Sequence, residues 1–153
     1  MRVALDTNVL VYVAGLVRTD RDRGKIARIR PLVEDLLIAT EVLCPLQTFG
    51  EAYRVLTRLG WSRDKSRELI GDWFGRFVVI GSSENAFVSA FDLAAKHRLQ
   101  IWDSLIISVA TEAGCSLLLS EDMQPGFTWR GLTVVDPFAD PLDARLSKLL
   151  VSQ

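Results

Sequence analysis

The chain is predicted to fold as an α/β domain built on a mostly parallel sheet of four to five strands flanked by helices. Short apolar runs recur along its 153 residues, and the first four are separated from one another by one or two stretches with apolar residues at helical spacing. Parallel strands need long crossovers, so this alternation implies helices laid over the faces of the sheet. A third observation sharpens the class. Asp6 and Asp122 stand just after two of the apolar runs, where open α/β sheets form their ligand crevice.

The elements follow in order. Val3-Ala4-Leu5 reads as a buried strand closed by Asp6-Thr7-Asn8, all good helix N-caps. Val9, Leu10, Val13, Leu16 and Val17 then recur at helical spacing. Residues 18–30 are strongly basic, with Arg18, Arg21, Arg23, Lys25, Arg28 and Arg30, and lead into a helix carrying Val33, Leu36 and Leu37. Pro31 suits either the first turn of that helix or a break in a longer one.

Glu41 to Cys44 is the second strand, ended by Pro45. A helix over 46–59 follows with Phe49, Ala52, Tyr53 and Leu56 on its apolar stripe. Ser62 caps the next helix, which carries Leu69, Ile70 and Trp73. Phe77 to Ile80 is the third strand. Helices are expected over 84–98, with Phe87, Phe91, Ala94 and Ala95 as stripe, and over 103–113, with Leu105, Ile106, Val109 and Ala110. Residues 116–119 form a fourth strand and 132–135 a fifth. No repeat, low-complexity segment or internal boundary is visible, so residues 1–138 read as one domain. The stretch 139–153, with Leu142, Leu146, Leu149 and Leu150, reads as a short helix packed on it.

Composition excludes several classes. Apolar residues make up 49% and charged residues 24%, and the formal net charge is −1. Nucleic-acid binding would therefore depend on a local basic patch. The opening Met-Arg-Val-Ala-Leu-Asp holds no apolar stretch suited to a signal peptide or membrane span, so a cytoplasmic location without membrane attachment is expected. Cys44 and Cys115 lie in apolar segments and read as buried reduced thiols. His97, the only histidine, sits in Lys-His-Arg as a surface residue, which removes a Ser-His-Asp triad from the candidates. No GxGxxG or GxxxxGK[ST] loop occurs.

Four acids remain: Asp6, Glu51, Asp103 and Asp122. Each has an ordinary structural explanation. Asp6 and Asp103 begin helices, where capping and the dipole favour Asp, and Asp122 lies in a turn. Glu51 has Gln47, Arg54 and Arg58 on its helix face, the pattern of a solvated surface. The combination carries more. Carboxylates that meet at a strand-end crevice without cations repel one another, and a hard divalent ion relieves that repulsion. Thr7 and Ser120 add hydroxyls able to orient a carboxylate or a metal-linked water. An all-oxygen donor set suits Mg²⁺ or Mn²⁺ better than zinc.

Together these residues resemble the PIN domain, and within it the VapC-like toxin ribonucleases of toxin–antitoxin pairs. The resemblance rests on Leu5-Asp6-Thr7-Asn8-Val9-Leu10, the Gln47-to-Tyr53 segment bearing Glu51, Ile101-Trp102-Asp103-Ser104-Leu105-Ile106, and Leu119-Ser120-Glu121-Asp122-Met123-Gln124. It implies a three-layer sandwich and an acidic pocket that binds Mg²⁺ or Mn²⁺ and cuts RNA in line, leaving 5′-phosphate and 3′-hydroxyl ends. Asp6, Asp103 and Asp122 would hold metal or its waters, and Glu51 would orient the attacking water. Thr7, Asn8 and Ser120 would support them, with Glu121 as a substitute for Asp122. The resemblance also implies a homodimer and an antitoxin whose tail blocks the pocket, with Leu10, Val13 and Trp73 as candidates to line its groove. Residues 18–30 and Arg54, Arg58, Arg63 and Lys65 are the candidate RNA contacts. Other readings stay open here: a housekeeping PIN nuclease, or a non-catalytic PIN-like module that binds RNA or protein. A phosphatase of the haloacid dehalogenase type would need Asp two residues after Asp6, where Asn8 stands.

Overall fold

The computed structural model describes residues 1–151. Six strands form one sheet: β1 (Arg2–Leu5), β2 (Val42–Pro45), β3 (Val78–Ile80), β4 (Cys115–Leu119), β5 (Thr128–Trp129) and β6 (Leu132–Val135), in the order β3-β2-β1-β4-β6-β5. All neighbours are parallel except the β5–β6 pair. The two-residue β5, absent from the sequence reading, pairs through Thr128 with Thr133 and Trp129 with Leu132. It is too short to leave a periodic signal.

Alternation along each strand sorts the core into two layers. Val3 and Leu5, Val42 and Cys44, and Leu117 and Leu119 face one side, while Ala4, Leu43 and Leu118 face the other. Helices α1 (Thr7–Ala14), α2 (Asp20–Ala39), α3 (Leu46–Arg58) and α4 (Arg63–Arg76) supply apolar residues to the first layer. Helices α5 (Glu84–His97) and α6 (Ile101–Glu112) supply them to the second. This is the three-layer architecture expected of apolar strands buried on both faces. Cys44 and Cys115 are free and buried. Burial pushes both thiols up, Cys115 to about 11, so neither is a reactive thiolate.

Several local expectations are corrected. Helix α1 stops at Gly15, whose φ of 89° is left-handed, so Leu16 and Val17 lie beyond it. Pro31 neither starts nor breaks a helix: α2 runs through it, with the proline exposed and the lost hydrogen bond on the solvent side. On α5 the buried residues are Ala86, Ala90 and Leu93, whereas Phe91 is exposed. The small alanines let α5 approach α6, and Phe87 packs half-buried against that contact. Leu10 and Trp73 are core residues and line no groove. Among the described residues, no helix is long and apolar enough to cross a membrane.

Helix α7 (Ala144–Val151) closes the described chain. Leu146 is fully buried in the first layer, and Leu142, Leu149 and Leu150 pack around it. Arg28 of α2 reinforces this end by donating to the carbonyls of Phe138 and Ala139 at 2.9 and 2.7 Å. Leu146→Ala is expected to destabilise the whole domain by about 2–5 kcal/mol. Urea unfolding checks this: a midpoint equal to that of the wild type would mean that α7 is not part of the cooperative core.

Candidate active site

The sheet reverses direction of growth between β1 and β4. From β1 the chain builds outward through β2 and β3, then returns to place β4 on the opposite side. At such a switch point the connections leaving the two strands' carboxyl ends diverge and leave a crevice, here between α1 after β1 and the 120–122 turn after β4. Asp6 and Ser120 stand at its two lips. Leu5 pairs with Leu119, the Asp6 N–H donates to the Leu119 carbonyl at 3.0 Å, and Ser120 Oγ donates to Asp6 Oδ2 at 2.7 Å.

Asp6 is the N-cap of α1, so its structural and chemical roles coexist. Its Oδ1 accepts the Thr7 N–H at 2.7 Å and its Oδ2 accepts Asn8 Nδ2 at 3.2 Å. Only 5% of it is exposed. Burial outweighs these hydrogen bonds, and with the nearby charges of Asp103 and Asp122 it pushes the carboxyl from 3.8 up to about 6. Asp103 does not cap α6, a position held by Gln100, but lies inside the first turn. Its carboxyl is also raised, first by burial and then by Glu51 and Asp122.

Glu51 projects from α3, which begins directly after β2. Thr7 Oγ1 donates to its Oε2 and Gln47 Nε2 to its Oε1, both at 2.7 Å. Gln47 stands at i−4, and that spacing was the sequence signal for its role as Glu51's holder. Asp122 is exposed and shares a small crevice of about 110 Å³ with Asp103. Glu121 turns elsewhere: it pairs with Lys25 and accepts the Tyr12 hydroxyl at 2.7 Å, while its N–H donates to Asn8 Oδ1.

The structure thus brings Asp6, Asp103 and Asp122 within mutual electrostatic reach, adds Glu51 beside Asp103, and ties Glu121 to a cation. Among the described residues no ion pair within 4.0 Å involves any of those first four acids. Nor do three or more His, Cys, Asp or Glu side chains close on one point as ligands. The expected basic segment is largely committed to structure. Arg18 pairs with Asp22, Lys25 with Glu121, and Arg28 and Arg30 hold backbone carbonyls. Lys65 lies over the Trp61 ring. His97 is exposed, edge-on to Phe127 and Trp129.

Fold and site together define an open α/β domain with an acidic crevice at its topological switch point. The family model of the PIN domain matches residues 3–125, and the chain belongs to that family. Toxin–antitoxin proteins are among the solved structures that it resembles. A toxin–antitoxin complex from Klebsiella pneumoniae has a TM-score of 0.64 and 17% identity, covering 89% of this chain and 98% of that one. VapC20 of Mycobacterium tuberculosis, a sarcin–ricin-loop-cleaving toxin, has a TM-score of 0.64 at 13% identity, covering 78% and 91%. VapBC2 from Rickettsia felis, bound to a DNA fragment from its promoter, has 0.64 at 15%, covering 88% and 97%. At these identities the likeness is one of fold. No curated protein matches the chain in sequence.

The raised Asp6 carboxyl has a consequence for stability. Between its unfolded value of 3.8 and its folded value of about 6, the folded state binds more protons. Stability contributed by Asp6 therefore falls as pH rises through that window. In metal-free protein, raising pH from 4 to 7 should cost the wild type roughly 2–3 kcal/mol relative to Asp6→Asn. Parallel urea titrations of the two proteins across this range measure it; curves that run parallel would show that the carboxylate is not held at such a cost.

Proposed function

We propose that the chain is a Mg²⁺- or Mn²⁺-dependent endoribonuclease and the toxin of a toxin–antitoxin pair, acting in the cytoplasm. The observation that carries the proposal is the set of uncompensated carboxylates gathered at the switch point of a PIN domain. These residues fit a hard cation. Their donors are all oxygen, and burial, joined by the charge of the neighbouring acids, raises the Asp6 and Asp103 carboxyls. Mg²⁺ commonly keeps several waters and takes only one or two carboxylates directly, so a closed cage of protein ligands is not required.

Asp6, Asp103 and Asp122 would hold the ion or its waters. A bound divalent ion supplies charge neutralisation at the scissile phosphate and a water acidic enough to yield hydroxide near neutral pH. Glu51, held by Thr7 and Gln47, would orient the attacking water. Ser120, Thr7 and Asn8 keep the Asp6 carboxylate in one rotamer. Asp122 is the better fourth acid than Glu121, because its charge acts on both Asp6 and Asp103 while Glu121 is neutralised by Lys25.

Toxin–antitoxin complexes among the neighbours support an antitoxin partner. An apolar cleft of about 480 Å³ between α3 and α4, lined by Leu46, Tyr53, Ile70 and Phe74, is a surface on which its tail would dock. Homodimerisation belongs to the same reading.

Asp6→Asn and Asp103→Asn should each reduce Mg²⁺-dependent RNA cleavage by at least about 100-fold. EDTA should abolish wild-type cleavage, and added Mg²⁺ or Mn²⁺ should restore it. Undiminished cleavage by a pure Asp103→Asn protein would sink the assignment. A second comparison separates the adjacent acids. Asp122→Asn should lose activity about as severely, whereas Glu121→Gln should stay within about tenfold of wild type. The reverse ranking in a single-turnover assay would make Glu121 the fourth acid.

A further inference from the structure

Beside the acids lies a cleft of about 640 Å³ whose wall is one face of α3. Gln47, Glu51, Arg54 and Arg58 fall at i, i+4, i+7 and i+11, the spacing that lines one side of a helix. Arg54 and Arg58 stand roughly 5 and 10 Å further along the axis than Glu51. Among the described residues neither guanidinium has a carboxylate within 4.0 Å. On α2, by contrast, Lys25 pairs with Glu121, and Arg28 and Arg30 donate to backbone carbonyls.

Trp102 completes the cleft from the first turn of α6. It is 54% exposed, and among the described residues no aromatic ring or cation packs on its indole. Its neighbour Asp103 points about 100° away around the helix and lines the other crevice with Asp122. One helical turn therefore presents an indole to the cleft on one side and a carboxylate to the acids on the other. A half-exposed aromatic face, two unpaired guanidinium groups and a cleft that leads to a phosphodiester-cleaving site match the parts of an unpaired nucleotide strand. The ring takes a base and the cations take phosphates.

We propose that this cleft is a nucleobase subsite for single-stranded RNA. Trp102 stacks one base next to the scissile phosphate, and Arg54 and Arg58 hold phosphates of the strand running away along α3. The proposal rests on the ribonuclease reading above and adds the form of the substrate. A base that stacks on Trp102 must be free of its own helix, so the subsite selects loops and unpaired segments over duplex. Stacking tolerates any base, so the subsite sets the path of the strand and leaves sequence choice to other contacts.

The test measures binding of a short fluorescent RNA by anisotropy to the Asp6→Asn protein in Mg²⁺, where cleavage does not intervene. Trp102→Ala in that background should weaken binding about 5- to 100-fold with an unchanged salt slope. Trp102→Phe should recover most of the loss. Arg54→Ala with Arg58→Ala should instead lower the salt slope by about 1.4, at about 0.7 per phosphate contact. Moving a single abasic position along the RNA should find one place that weakens binding to the Trp102 protein and not to Trp102→Ala. Equal affinity of the Trp102 and Trp102→Ala proteins, with RNA still cut by the wild type, overturns the subsite alone. A wild-type protein that neither binds nor cuts RNA overturns the ribonuclease reading and the subsite with it.

Discussion

The burial of one carboxylate at the seam between β1 and β4 organises the rest of the site. Asp6 is held by a backbone N–H, an amide and a hydroxyl that come from both sides of the switch point. These bonds join the start of α1 to the turn after β4 and so set where Asn8, Ser120 and the 120–122 turn lie. They do not cover the cost of ionising the group out of water, and its affinity for a proton rises accordingly. A domain built this way carries an electrostatic demand at its crevice, which a proton or a hard cation satisfies.

Charge elsewhere is arranged so that this demand is not met from within. Lys25 is close to the 120–122 turn, yet it pairs with Glu121 and stacks near Tyr12 and Phe138. Arg28 and Arg30 are spent on carbonyls that anchor α2 to the end of α1 and to the segment before α7. Arg54 and Arg58 line the cleft beside Glu51, and among the described residues neither has a carboxylate within 4.0 Å. A net charge of −1 conceals this separation. Opposite charges stand near each other without neutralising one another, the arrangement that the proposed cleavage of an anionic strand would use.

Much of the fold was legible in the chain because its strands are buried on both faces and read as bare apolar runs. Ser62 announced α4, and its side chain does accept the Lys65 N–H. The misreadings have physical causes. Phe91 looked like core because it is large, whereas the α5–α6 contact needed the small Ala86 and Ala90. Pro31 looked like a boundary, but an exposed proline costs a long helix only one solvent-side hydrogen bond. Within the candidate site, Asp6 and Asp122 read as strand-end acids from the apolar runs before them, with Thr7 and Ser120 as their hydroxyl neighbours. Glu51 gave no such signal, since a helix face of Gln, Glu and Arg reads equally as surface until Thr7 is brought to it.

By itself the sequence determined the α/β class, the order of the acids and the cap at Asp6, because each follows from local pattern and neighbouring residue types. Tertiary structure alone decided which carboxylates meet, that Lys25 claims Glu121 and leaves Asp122 free, and that Trp102 opens onto the cleft beside Glu51. The reason is separation along the chain. Ser120 reaches Asp6 across 114 positions and Lys25 reaches Glu121 across 96. Contacts of that range exist only once the parallel register of β1 with β4 has been made, and no periodicity within either segment encodes them.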